Sequence, residues 1–346
     1  MARVVGQATY LQLVRRPVGV PGPEDWELAS EPLPDLGEGE ALVENRFLSV
    51  DPYMRGRMDE APSYYPPWPL GAPLDGDAAG VVVASRAPAL PEGAWVASEH
   101  GLRDRFVAAA EGLRPLAPPP AGLDHSCYLD LLGGTGFTAF LGVEDVLVPR
   151  PGECVFVSTA AGAVGSVAGQ ICRAAGARTI GSTGSAGKAR IAAERYSFDA
   201  VFDYGAEPAA AALDRLAPDG IDGFFDNVGG EQLEAAIERM RVGGRIAKCG
   251  AISGYNSAEP PPGPRNLHHF FGRRLTMVGF LVSDHRERRP AFEARMREWI
   301  ERGEVRGDQR RFDGLERIPD AFADLFAGGN VGKTIVSLAP GDGDGS

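Results

Sequence analysis

Hydrophobic positions change their spacing part-way along this chain. Over residues 1–123, short apolar segments are broken by proline and glycine, and no helical period is sustained. That pattern predicts strands joined by turns. "GEALVENRFLSVDP" and "DAAGVVVAS" each predict a strand, "EGAWVASEHGLRDRFVAA" predicts a strand pair, and the proline-rich "LRPLAPPPAGLD" predicts a stiff connection. From Leu123 onward, apolar runs alternate with alanine-rich stretches of helical spacing. "ECVFVST" precedes "GAVGSVAGQICRAAG", "ARTIGST" precedes "AGKARIAAERY", and "DAVFDYG" precedes "EPAAAALDRLAP". "GIDGFFDNVGG", "EQLEAAIERMRVGG" and "RIAKCGAIS" continue the alternation, and "RRLTMVGFLV" adds a strand. Strand alternating with helix predicts a parallel sheet with right-handed crossovers. The class is therefore α/β, with a β-rich domain over 1–123 and a doubly wound parallel-sheet domain over 124–303. Residues 304–339 read strand, helix, strand and fold back onto the first domain, and 340–346 form a disordered tail.

The sharpest local signal lies between "VFVST" and the helix that follows. Ala160–Gly165 reads AxGxxG, a partial match to the dinucleotide fingerprint. Gly162 would let a pyrophosphate approach the backbone, and Gly165 would let helix and strand pack closely. Free amides and the helix dipole favour an anion there. The same pattern also suits a small-residue turn that only packs a helix onto a sheet. An acidic residue at the end of the second strand would point to NAD. Here "RTIGSTGS" supplies Ser182, Thr183 and Ser185, followed by Lys188 and Arg190. Small polar side chains and cations suit a 2′-phosphate, so NADP is favoured.

Composition narrows the function classes. With 35 basic and 47 acidic residues the net charge is −12, which argues against a nucleic-acid surface. The mixed charges of "DHRERRPAFEARMREWIERGEVRGDQRR" fit solvated helix faces. No apolar run approaches the roughly 18 residues of a membrane span. The amino terminus lacks a signal-peptide core, so a cytoplasmic protein is expected. Four cysteines (Cys127, Cys154, Cys172, Cys249) have no CxxC spacing and predict neither a disulfide framework nor a zinc site. His100 is expected at the surface, and the adjacent His268 and His269 are expected to point differently.

"SVDPYMRGRM", "STAAGAVGSVAGQ", "FDNVGG", "KCGAISGYN", "MVGFLV" and "GGNVGK" occur in an order that resembles the zinc-independent medium-chain dehydrogenase/reductases. The likeness is to the group of prostaglandin reductases (leukotriene B4 dehydrogenase type) and 2-alkenal or enone double-bond reductases, and it covers nearly the whole chain. It implies a GroES-like first domain and a Rossmann second domain. Zinc-dependent relatives need an early cysteine ligand, a histidine in a GHE-type turn and a four-cysteine lobe. This chain reads "SVDPYMRG" and "LDGDAAG" at the matching places, and Ala84–Leu116 holds no cysteine. Without such ligands a tetrahedral catalytic zinc cannot be assembled.

The resemblance further implies NADPH-dependent reduction of a C=C bond conjugated to a carbonyl, with hydride delivered to the β-carbon. Tyr255 matches the tyrosine near the nicotinamide that donates to the carbonyl oxygen or only braces the ribose. Tyr53 matches a pocket tyrosine, while Arg55 and Arg57 could pair with a substrate anion or form structural ion pairs. Gly162, Ala163, Val164 and Gly165 would cradle the pyrophosphate, and Ser185, Lys188 and Tyr204 would surround the 2′-phosphate. Asn227, the segment Cys249, Gly250, Ala251, Ile252, Ser253, Gly254 and Tyr255, and Phe280, Leu281 and Val282 would run along the ribose and nicotinamide. Asn330 would close the site.

Some positions depart from the family. "FDYG" stands where "FNYK" is usual, placing Asp203 beside Tyr204; "AERYSFDA" replaces "LGFDA"; and Thr135 and Phe140 stand where proline and tyrosine are frequent. A quinone reductase on the same scaffold, or a dinucleotide-binding protein without reductase activity, are the competing readings. "LTMVGFLV" at a sheet edge predicts a homodimer.

Overall fold

The computed structural model describes residues 6–61, 64–257 and 261–338. The tail 340–346 and parts of the loops "APSYYPPWP" and "NSAEPPPGPRN" lie outside the described residues.

The amino-terminal part carries β1 (Gln7–Leu13), β2 (Trp26–Pro32), β3 (Glu40–Val50), the single turn α1 (Met54–Arg57), β4 (Ala78–Ser85), β5 (Trp95–Ser98), β6 (Arg105–Ala109) and β7 (Arg114–Pro115). There follow α2 (Gly134–Leu141), β8 (Cys154–Val157), α3 (Ala163–Ala174), β9 (Arg178–Thr183), α4 (Ala186–Glu194), β10 (Ala200–Asp203), α5 (Ala209–Leu216), β11 (Ile221–Asp226), α6 (Gly230–Arg239) and β12 (Met240–Lys248). The chain ends with α7 (His269–Arg273), β13 (Thr276–Gly279), α8 (Arg289–Glu301), β14 (Gln309–Asp313), α9 (Ile318–Phe326) and β15 (Lys333–Ser337). These divide into two compact units. One comprises the residues up to Leu129, Gln309–Asn330 and those from Thr334 on; the other comprises Asp130–Asp308 with Val331–Lys333.

The first unit is built on a sheet of order β14-β15-β3-β4-β5-β7, with β6 also on β3, beside the antiparallel pair β1-β2. The expected pair in "EGAWVASEHGLRDRFVAA" separates: β5 lies against β4, while β6 pairs with Glu40–Glu44 of β3. The remaining length of that β3 edge, Phe47–Val50, takes β15 antiparallel. A long strand with two half-edges can hold both neighbours, and so the carboxyl-terminal strand joins the amino-terminal sheet. β1 and β2, which the apolar pattern did not announce, pair in full register from Gln7↔Pro32 to Leu13↔Trp26.

The second unit has six strands in the order β10-β9-β8-β11-β12-β13, parallel throughout. Numbered by their own sequence this is 3-2-1-4-5-6, the doubly wound order. Every residue of β8 is buried, as a central parallel strand covered on both faces requires. Phe156 stacks on Phe224 at 4.7 Å and on Phe202 at 5.8 Å. On the helical side Phe137 and Phe140 meet Phe292 at 4.9 and 5.6 Å.

Two family departures prove to be structural. Phe140 is buried against Phe292 and Trp299. Tyr196, at the exit of α4, is buried and its hydroxyl donates to Asp308 Oδ2 at 2.7 Å, while Arg195 pairs with Oδ1 at 2.5 Å. The Asp308 carbonyl in turn accepts from the Lys333 amide at 2.8 Å. Burial, and then the Asp308 contact, push the Tyr196 phenol well above its ordinary range.

Tyr196→Phe is expected to cost about 1.5–3 kcal/mol in denaturant unfolding, the range for a hydrogen bond to a charged acceptor. The folded-state phenol is raised, so its contribution is full below the unfolded pKa of about 10 and falls as pH rises beyond it. The wild type therefore loses more stability than Tyr196→Phe above about pH 10.

Candidate active site

In a parallel sheet all strands end on one edge, so the six turns after β8–β13 share that edge. The order reverses between β8 and β11, opening the crevice where ligands of such folds bind. Here the two turns are stitched together. The Asn227 amide donates to Ser158 Oγ at 2.8 Å, its side-chain Nδ2 donates to the Ser158 carbonyl at 2.8 Å, and Ser158 Oγ donates to the Phe225 carbonyl at 3.2 Å.

On the β8 side, Gly162 caps α3 and its carbonyl accepts from Ser166. Ala163, Val164 and Gly165 form the first turn, where amides have no partner within the helix. The two glycines answer different demands. A Cβ on Gly165 would stand 2.3 Å from the Thr159 carbonyl oxygen and 2.7 Å from that of Ser158, so only glycine fits. Gly162 has an ordinary φ of −88°, and a Cβ there would meet the Thr159 carbonyl oxygen at 3.3 Å, tight but short of a clash. Its lack of a side chain matters less for internal packing than for what approaches from outside. Thr159 itself has φ +55°, an uncommon conformation for a β-branched residue and a mark of strain at a functional turn. Gly332 pairs with Gly162 across an isolated bridge and donates to the Ala161 carbonyl at 2.8 Å.

After β9, Ser185 caps α4, its hydroxyl accepting the Lys188 amide at 3.3 Å. After β10, Tyr204 is about half exposed, and a Cβ on Gly184 would lie 2.7 Å from its hydroxyl. The ring therefore stands over the turn that leads into Ser185. The Asp203 carboxylate accepts the Gly205 amide at 2.9 Å, engaging the charge in its own turn.

After β11 and β12 the ends are joined by a buried ion pair. Asp226 is fully buried; its Oδ1 accepts the Val228 and Gly229 amides at 3.0 and 2.8 Å, and its Oδ2 accepts Lys248 Nζ at 2.6 Å. The segment Cys249–Tyr255 is tied to β11 by Cys249 and Gly250 amides on the Asp226 carbonyl, Ile252 on the Asn227 carbonyl and Ser253 on the Val228 carbonyl. Gly254 donates to Ala251, closing the turn that carries Tyr255. The Ala251 amide donates to the Tyr255 oxygen at 3.3 Å. Burial raises the Tyr255 phenol, and the Ala251 amide pulls the other way, so the hydroxyl keeps its proton at neutral pH. Burial pushes the Cys249 thiol up to about 12, which makes it an inert neighbour. β13 ends at Gly279, so Phe280 and Leu281 lie beyond the strand and Val282 opens a short 3-10 turn. Phe280 meets Phe225 edge-on at 6.5 Å.

Gly162–Gly165, Ser185, Lys188, Tyr204, Asn227, Cys249–Tyr255 and Phe280–Val282 thus share one unit and one sheet edge. Tyr53 and Asn330 belong to the other unit. There, Tyr53 packs on Tyr65 at 5.1 Å, and burial with Asp77 and Asp51 nearby raises its phenol well above the ordinary range. Arg55 donates to Gly19 and Asp59 at 3.0 and 2.7 Å. Arg57 donates to Pro66 at 3.1 Å and lies over Tyr65 and Trp68. Both arginines are buried, so the structural reading holds for them.

Histidine expectations need correction. His100 is half-buried, stacked on Phe106 at 4.5 Å. The His268 and His269 rings lie 4.2 Å apart, because both sit at the tight start of α7. Among the described residues no three His, Cys, Asp or Glu side chains form a group that could hold a metal ion. Ser158, Asp226 and Lys248 were missed as contributors: "VST", "FDN" and "KCG" displayed them, but their pairings appear only once β8, β11 and β12 lie side by side.

Two family models match the chain: "N-terminal domain of oxidoreductase" over residues 9–116, and "Zinc-binding dehydrogenase" over 163–301. The chain is 36% identical over 335 residues to the NADPH-dependent curcumin reductase of Escherichia coli (strain K12), covering 95% of this chain and 96% of that one. The chain belongs to the zinc-independent medium-chain dehydrogenase/reductase family. Another member, the NADP(+)-dependent 2-alkenal reductase of Nicotiana tabacum, is 37% identical over 306 residues, 88% of either chain. The solved structure of CurA from Vibrio vulnificus in complex with NADPH superposes with a TM-score of 0.91 at 35% identity, covering 96% of this chain and 99% of that one. The two units of this family member are accordingly a GroES-like β-rich unit and a Rossmann unit, and its cofactor is NADP. Among the described residues no helix is long and apolar enough to cross a membrane.

The residues present fit that dinucleotide. Gly162 caps the twelve-residue helix α3, and it presents no side chain at that turn. Gly165→Ala is expected to lower stability by on the order of 3 kcal/mol through overpacking. Gly162→Ala should cost about 1 kcal/mol or less. It should nevertheless weaken NADPH binding by about tenfold or more, as expected for a methyl group added to the second glycine position of a dinucleotide fingerprint. Denaturant unfolding and NADPH fluorescence titration separate the two effects.

Proposed function

We propose that this protein reduces the C=C bond of α,β-unsaturated carbonyl compounds, enals and enones, with NADPH as reductant. The observation that carries the reading is Tyr255, a protonated phenol held by the Ala251 amide beyond the ends of β11 and β12. The chain's similarity to a curcumin reductase and a 2-alkenal reductase supports the same reading.

When bound, NADPH supplies a hydride for the β-carbon of the substrate. Negative charge then develops on the carbonyl oxygen, and catalysis rests on a donor waiting there. Tyr255 fills that role: a neutral phenol donates its O–H while accepting the Ala251 N–H. The amides of Ala163, Val164 and Gly165 bind the pyrophosphate at the helix N-terminus. Ser185, Lys188 and Tyr204 hold the 2′-phosphate, and Asp203, occupied by Gly205, leaves Tyr204 to face it. Asn227, Cys249–Ser253 and Phe280–Val282 line the ribose and nicotinamide. The domain limits proposed for this arrangement are 1–123, 124–303 and 304–339.

β13 is the exposed edge of the Rossmann sheet, with Met277 and Val278 open to solvent. An apolar edge needs cover, and a second copy pairing β13 with β13 provides it about a two-fold axis.

Turnover followed by NADPH absorbance should be found with 2-alkenals and enones, and should be much weaker with NADH. Turnover confined to quinones would replace the reading with quinone reduction, and NADPH binding without turnover of either would replace it with a non-catalytic role. Tyr255→Phe is expected to lower kcat about 10–100-fold with NADPH affinity within about twofold of wild type. Unchanged turnover removes Tyr255 from the mechanism. Light scattering should give a dimer at micromolar concentration, and a monomer there rejects the β13 pairing.

A further inference from the structure

Lys248 ends β12 directly beside Asp226 in the parallel register. Its ammonium has two partners, Asp226 Oδ2 at 2.6 Å and the Gly250 carbonyl at 2.7 Å. The second is the unusual one. The carbonyl of Gly250 and the N–H of Ala251 are opposite edges of a single planar peptide, and that N–H donates to the Tyr255 oxygen at 3.3 Å. An ion pair, one peptide plane and one phenol therefore form a continuous chain: Asp226, Lys248, Gly250–Ala251, Tyr255.

Such a chain has a direction. A cation on the carbonyl oxygen draws electron density through the amide and makes its N–H a stronger donor. A stronger donor to the phenol oxygen leaves the phenol O–H a stronger donor in its turn. The cation also fixes the rotation of the Gly250–Ala251 peptide, which flanking glycine would otherwise leave free. We propose that Lys248 is a positioning residue for the reduction, acting on Tyr255 through the Gly250–Ala251 peptide. This rests on Tyr255 being the hydrogen-bond donor to substrate.

Lys248 reaches the phenol through that peptide rather than by its own charge. The groups acting on the phenol, besides its own burial and the Ala251 amide, are Cys249 and Asp226, and both push its pKa upward. The Cys249 thiol, at about 12, is neutral near pH 7, so Asp226 is the anion to be offset. The alternative is that Lys248 serves Asp226 alone, since a buried carboxylate without its cation is costly.

Four variants separate these roles: Lys248→Met, the pair Asp226→Asn with Lys248→Met, Tyr255→Phe, and Tyr255→Phe with Lys248→Met. Steady-state kinetics with one enal, and NADPH titration, are read on each. Lys248→Met should lower kcat about three- to tenfold with KM for NADPH within about twofold. The loss should persist when Asp226→Asn removes the buried charge, which also guards against a folding defect. It should vanish in the Tyr255→Phe background, as a double-mutant cycle requires for coupled groups. Recovery of wild-type kcat in the Asp226→Asn, Lys248→Met pair overturns the proposal, as does an undiminished Lys248 effect once Tyr255 is gone. Undiminished turnover of Tyr255→Phe by itself overturns instead the role of Tyr255 on which the proposal stands.

Discussion

Helix α3 approaches the turn after β8 so closely that no side chain fits between them. The Thr159 carbonyl lies 2.3 Å from where a Gly165 Cβ would be, and Thr159 takes a left-handed backbone to make that turn, at a cost of about 1–3 kcal/mol. Everything the Rossmann unit offers an anion follows from this approach. It brings the first amides of α3 to the carboxyl edge of the sheet, beside Ser158. Ser158 then grips Asn227, so the two halves of the doubly wound sheet are pinned at the point where their order reverses. A looser helix would leave the amides and Asn227 to move independently.

The opposite side of the crevice is fixed by charge rather than by close packing. Asp226 has no exposed surface, yet every hydrogen-bonding direction described for it is used, by two amides and one ammonium. A carboxylate buried this way is tolerated because it is paired and hydrogen-bonded. Its benefit is conformational. It sets the start of the turn before α6, and through Lys248 it sets the turn that carries Tyr255. The tyrosine thus stands on a loop whose backbone is bonded back to the end of β11 and the turn after it through the amides of Cys249, Gly250, Ile252 and Ser253, a rigid mount for a residue on a loop.

Much of this was legible in the order of residues. Alternation of apolar runs with alanine-rich helical spacing located all six parallel strands, the central ones because strands buried on both faces read as continuous apolar segments, and the exposed β13 from its short apolar run alone. The AxGxxG turn and the "CGAISGY" segment gave the site its outline, since amide-rich turns must be small and are local in sequence. Three things were not legible. β1 and β2 were hidden because their alternation is interrupted by polar and charged residues, and their pairing is what selects them. The separation of β5 from β6 depends on the length of β3, which no local pattern records. Lys248 stood in plain view in "KCG", but its worth lies in a carboxylate from the previous strand, twenty-two residues earlier in the chain.

The departures from the family fall into a physical pattern. Phe140 fills the core between Phe292 and Trp299, Tyr196 locks the exit of α4 to Asp308, and Asp203 caps its own turn. Each side chain is satisfied inside the protein and turned to a structural use. Positions proposed to meet the cofactor and substrate, such as the first turn of α3 and Tyr255, match the family's motifs. A scaffold can drift where a new side chain finds an internal partner. It cannot drift where the partner is the cofactor or substrate, because no neighbouring residue can compensate for a lost contact with a ligand. On that argument Tyr204, exposed over Gly184 and beside the altered Asp203, marks the boundary between the two regimes. One side of the tyrosine stands over the Gly184 turn and the rest is open to solvent, so a change there meets an internal constraint on one side and the proposed 2′-phosphate on the other.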